Sequence, residues 1–153
     1  MLHVPFTESV AIRAISIRGA SGGGEDGDSS PPRTVQLFVN RNDLDFEMAR
    51  DLEPAATLEL LPPEHDSGGT VDYPLRPAER FQSASSVTIY FADNFTKAAD
   101  PDGDSVQTEV TFVGFKGKGT KVRRRAVEAV YESRGMMADH KVPHGEYGTR
   151  HLN

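Results

Sequence analysis

Asp100, Asp102 and Asp104 stand at alternate positions around Gly103, a spacing that lets carboxylates converge on a hard cation such as calcium. The helix-loop-helix calcium register places glycine sixth in the loop and a bidentate glutamate twelfth. Here Gly103 is fourth and the twelfth residue is Thr111, inside a β-rich run, so the segment reads as an acidic, solvated hairpin tip. His140 and His144 have the separation of two zinc ligands on one helical turn, but Pro143 between them breaks such a helix and no glutamate base accompanies them. Nucleophilic catalysis needs a nucleophile, a base and an orienting acid. Serines are plentiful, yet His3 is terminal and His65 sits in a Pro-rich turn, so no histidine has a context that pairs it with one. The chain has no cysteine, which excludes disulfides, thiolate metal sites and a thiol nucleophile. No catalytic residue, cofactor or metal ligand is assigned, and the protein is expected not to be an enzyme.

The remaining chemistry is charge. Lys116, Lys118, Lys121, Arg123, Arg124 and Arg125 put six cations into ten residues, while the whole chain carries 17 Lys and Arg against 23 Asp and Glu, a net charge of -6. Such a strip steers an acidic partner, or it guards a sheet edge against aggregation. Aromatic interleaving is thin and the overall balance acidic, which argues against nucleic acid as the partner.

These residues must be positioned by strands. Val35, Leu37 and Val39 alternate with Thr34, Gln36 and Phe38; Val87 to Phe91 and Val110 to Phe115 repeat the period of two. From Val10 to Ile17 the apolar set changes phase, which calls for a bulge near Ala14 or burial on both faces. Shorter strand candidates are Leu2 to Phe6, Thr57 to Leu61, Thr70 to Leu75 and Arg80 to Ser83. Ala20 to Pro32 has no apolar periodicity and reads as a mobile loop. Val122, Ala126, Val127 and Val130 fit a helix face that Thr120 could cap and Gly135 end. Short strands with such punctuation predict one antiparallel sandwich or barrel over residues 1–134, with 135–153 an extended or disordered tail. The expected core is Val10, Ile12, Ile15, Ile17, Val35, Leu37, Val39, Val87, Ile89, Phe91, Val110 and Phe112. No apolar run reaches the ~20 residues of a membrane span, and Met1 to Phe6 lack signal-peptide character.

An ordered set of motifs is more specific than any of them alone. It comprises Val4-Pro5-Phe6, Val10 to Gly19, Val35 to Asn40, Leu44-Asp45-Phe46 and Arg80-Phe81-Gln82. It continues with Ser86 to Phe95, Thr111 to Gly117, Tyr131-Glu132 and Ala138 to Val142. Together they resemble the PITH domain, found at the C-terminus of proteasome-interacting thioredoxins and also alone. The chain begins almost at the Pro-Phe strand, where the family has a further upstream segment, and it looks like the stand-alone form. The Asp100 to Gln107 loop is longer than the family pattern.

The resemblance implies an all-β, antiparallel jelly-roll β-sandwich similar to galactose-binding domains, and a strand rather than a helix over Arg123 to Tyr131. It also implies a non-enzymatic protein-interaction module with a protein partner, the proteasome regulatory particle by family expectation. A monomer in the cytoplasm, and also the nucleus, is expected. The competing reading is a calcium-assisted carbohydrate-binding sandwich, for which the chain offers no Trp and only scattered loop aromatics. The expected contact residues are Asn94 and Phe95 after the Ile89 strand, Asp139 and His140 in the closing motif, and the basic strip Lys116, Lys118, Lys121, Arg123, Arg124 and Arg125.

Overall fold

The structure, a computed structural model, describes residues 1–19, 29–62, 71–103 and 106–123. One long strand organises it. β1 (Leu2–Gly19) pairs along one edge with β6 (Ala84–Phe91) through Leu2 to Val10 and with β5 (Tyr73–Pro74) through Ala14 and Ile15. Along its other edge β1 pairs with β8 (Val110–Arg123), from Glu8↔Arg123 to Gly19↔Val110. β6 pairs in turn with β3 (Thr34–Val39), and β3 with β4 (Ala56–Glu59). All these pairings are antiparallel, in the order β4-β3-β6-β1-β5 with β8 on the far side of β1. β2 (Ser29–Ser30) and β7 (Gln107–Thr108) form a small parallel pair. The curled antiparallel sheet is a jelly-roll β-sandwich of galactose-binding-like architecture.

The phase change in β1 is a bulge. Ile12 faces Gly117 and Ala14 faces Lys116, so β1 advances two residues while β8 moves one, and Arg13 is the extra residue. Without it Ile12 and Ile15 would point to opposite faces; with it both are buried in one core.

Val35, Leu37, Val87 and Ile89 are fully buried in that core, beside Ile12, Ile15, Ile17 and Phe81. The central strands are buried on their second face too. Phe38 and Tyr90 pack there against Ala49 of α1 (Phe46–Asp51), whose N-cap Asp45 accepts from Met48 N at 2.7 Å. Four residues expected in the core, Val10, Val39, Phe91 and Val110, are half-buried against it. Phe112 is a correction: it is 47% exposed. Ile15↔Phe115 and Ile17↔Val113 put the odd residues of β8 on the core face, so Phe112, opposite Arg18, faces outward.

Three local expectations also change. Arg80 to Ser83 is not a strand: Ala78–Phe81 is a 3-10 turn that drives Phe81 into the core. Ser29 to Pro32 are ordered in β2 and in the bridge Pro32↔Asn94, with Ser30 buried; residues 20–28 lie outside the described set. Thr120 lies within β8 and caps no helix. Residues 124–131 and the tail 135–153 lie outside the described residues.

Candidate functional site

The outward face of β8 carries Phe112, Gly114, Lys116 and Lys118 in succession, because alternate residues of a strand share a face. The Phe112 ring lies over Gly114, where an added Cβ would meet its Cζ at 2.8 Å. Lys116 Nζ reaches the Asp72 carboxylate, whose other oxygen accepts from Ser16 Oγ at 2.6 Å. Lys116 first, then Ser16, holds the Asp72 carboxyl below its usual range. Lys118 is exposed two residues on. The face is therefore an aromatic ring followed by two ammonium groups, one anchored and one open to solvent.

Beyond Gly119 the strip changes character. Between Gly119↔Val10 and Arg123↔Glu8, β8 uses four residues against two of β1, and Lys121 adopts a left-handed φ of 61° in this bulge. That conformation costs a non-glycine residue about 1–2 kcal/mol. The Glu8 carboxylate rests over Gly119, where it leaves no room for a Cβ. Arg123 stands opposite Glu8 in the backbone register; Arg124, Arg125, Asp139 and His140 lie outside the described residues.

Asn94 is not an exposed contact residue. It is 5% exposed and caps α2 (Phe95–Ala99), accepting from Lys97 N at 2.8 Å. Its amide donates to Val106 O at 3.0 Å and Thr108 Oγ1 at 3.2 Å. Every polar atom of the side chain is turned inward. Phe95 is half-buried at the start of α2, with its N–H on Pro31 O. Pro31 packs on Gly19, at the Val110 end of β8, so an extended strand places Phe95 on the order of 30 Å from Lys121. The structure brings Lys116 and Lys118 together with Phe112, and leaves Asn94 and Phe95 apart from them.

The Asp100 carboxylate folds back over Gly103, within 2.5 Å of where a Cβ would stand. Among the described residues no three His, Asp or Glu side chains converge on one point. Gly19 to Gly23 has the pattern Gly-x-Ser-x-Gly, but Gly19 ends β1 against Pro31 and Ser21 lies outside the described residues.

A cleft of about 380 Å³ that the sequence reading missed is lined by Phe38, Val39, Asn40, Arg41, Glu53, Ala55 and Arg80. Asn40, at a left-handed φ of 57°, clamps its wall. Its Oδ1 accepts from Ser85 N at 2.7 Å and Ser86 N at 3.3 Å, and its amide donates to Ser83 O at 3.1 Å. Arg41 grips Asp43 with two bonds of 2.8 and 2.9 Å and holds that carboxyl below its usual range. Arg80 donates to Pro54 O and Glu53 Oε1, both at 3.0 Å. The only hint in the sequence is Asn40-Arg41-Asn42-Asp43 straight after a strand, turn chemistry that says nothing of a distant Arg80. A smaller recess of about 190 Å³ lies between β1 and β8, bordered by Phe6, Val10, Ile12 and Phe115.

The family model of the PITH domain matches residues 1–135. The chain belongs to the PITH domain family. PITH domain-containing protein 1 of Danio rerio is 31% identical over 144 residues, covering 93% of this chain and 59% of that protein. Its namesake in Dictyostelium discoideum is 28% identical over 141 residues, covering 92% and 61%. Thioredoxin-like protein 1 of Schizosaccharomyces pombe is 34% identical over 95 residues, 61% of this chain and 31% of that one. The chain thus spans about three fifths of the PITH domain-containing proteins it matches. The PITH model ends at residue 135, so it takes in the whole of the described sandwich together with the Phe112 face.

Proposed function

We propose that this PITH domain is a non-enzymatic protein-interaction module, and that it docks through the outward face of β8. The observation that carries this reading is Phe112, 47% exposed on the same outward strand face as Lys116 and Lys118. An exposed aromatic with charged side chains further along the same face is the composition of an interface anchor and its rim. Lys118, open to solvent on that face beyond the Lys116–Asp72 pair, favours a partner surface that is acidic. The similarity to a thioredoxin-like protein supports a module that is joined to other activities. The partner is the proteasome regulatory particle or a related complex, met by a monomer of this chain in the cytoplasm and the nucleus.

The test is co-purification from cell extract. The wild-type chain should enrich proteasome subunits, and a Phe112→Ser, Lys118→Glu double variant should lose them while keeping its fold. No enrichment by the wild type removes the proteasome as partner. Equal enrichment by both chains removes the β8 face as the contact.

A further inference from the structure

The cleft beside Asn40 offers recognition of a different kind. Its floor is apolar, from buried Phe38 with Val39 and Ala55, and Arg41 and Arg80 stand at its rim. Each guanidinium has five N–H donors in a planar fork. Arg41 uses two of them on Asp43, and Arg80 uses two on Pro54 O and Glu53. Forked donors above an apolar floor suit a carboxylate carried on a short aliphatic stem.

The walls are prepared and the present occupant is replaceable. Asn40 ties the end of β3 to the start of β6, Ala55 N donates to Leu37 O at 2.7 Å, and Arg80 bonds Pro54 O. The Glu53 side chain, by contrast, is 81% exposed and Arg80 47%, so water screens their attraction. Glu53 can leave Arg80 for solvent with little loss. A cleft of about 380 Å³ is near the lower end for ligand sites and takes one or two side chains, not a folded element.

We propose that this cleft receives a Glu or Asp side chain from an acidic peptide segment of a partner protein, and that Glu53 occupies Arg80 until that carboxylate arrives. The cleft involves none of Phe112, Lys116 and Lys118, so failure here leaves the β8 face standing, and the converse.

A hexaglutamate peptide, titrated into the full chain and followed by amide and arginine Nε–H resonances, tests it. Saturable shifts are expected at Arg80 Nε–H and at the amides of Asn40 and Ala55. Arg80→Gln should weaken binding about tenfold or more, the loss of a charge-assisted pair. Glu53→Gln should strengthen it about threefold by freeing Arg80. Lys116→Gln with Lys118→Gln should leave it unchanged. Should Arg80→Gln lose its dispersed spectrum, Arg41→Gln replaces it, and undiminished affinity there overturns the proposal. So do shifts centred on Lys116 and Lys118, the absence of saturation, or equal binding of inorganic phosphate at matched ionic strength. Unchanged or weaker binding by Glu53→Gln overturns the placeholder role.

Discussion

Asp72, next to β5, reaches across to the paired strands β1 and β8, accepting from Ser16 on β1 and Lys116 on β8. Its folded pKa is depressed, so its contribution to stability is complete above the unfolded carboxylate value of about 3.9 and disappears as pH falls through the lower folded value. Asp72→Asn should therefore unfold more readily than wild type near neutrality, and the gap in denaturation midpoint should hold down to about pH 5 and narrow as pH falls below about 4. A gap that stays constant well below about pH 4 would show that the carboxylate charge is not what makes this tie. Asn94 tests a neutral counterpart. Asn94→Ala removes the α2 cap and leaves Val106 O without its donor, a loss on the order of 1–2 kcal/mol in chemical denaturation.

At the scale of elements, β1 and β8 approach so closely that glycine is obligatory at one point. A Cβ on Gly117 would overlap the carbonyl oxygen of Ala11, a backbone atom with no rotamer to escape into. Gly117→Ala should cost roughly 1–3 kcal/mol by overpacking and weaken amide protection in β8 before β3. Such contacts explain which parts of the fold were legible in the sequence. Period-two alternation marked β3, β6 and β8, and the phase change in β1 signalled its bulge, because side-chain direction is a local property. Face assignment in β8 was not legible. Val110 and Phe112 have the same parity, yet a register shift between Arg18 and Gly19 turns Val110 towards the core and leaves Phe112 outside. Nor were α1 and α2, of six and five residues, since they are too short for a helical period and rest on the caps Asp45 and Asn94. Of the candidate contacts, Lys116 and Lys118 follow from charge density alone. The cleft of Arg41 and Arg80 joins positions that only the folded chain brings together.

The whole molecule depends on β1, which borders β6 and β5 on one side and β8 on the other, so its residues couple both halves of the sandwich. Ile89, fully buried where β6 lies between β1 and β3, reports on that coupling. Ile89→Ala should lower stability by about 2–5 kcal/mol in a single transition seen equally by probes in β3 and β8; two separated transitions would show independent halves. The chain also has a place that should tolerate foreign sequence. Gly19, at the end of β1, lies against Pro31, so the described residues that flank positions 20–28 stand close together. Lengthening a connection whose ends already meet adds only about 0.6 kcal/mol per doubling. The molecule therefore has a natural port there: an epitope or a fluorescent reporter spliced into that stretch should leave the sandwich, the Phe112 face and the arginine cleft as they are.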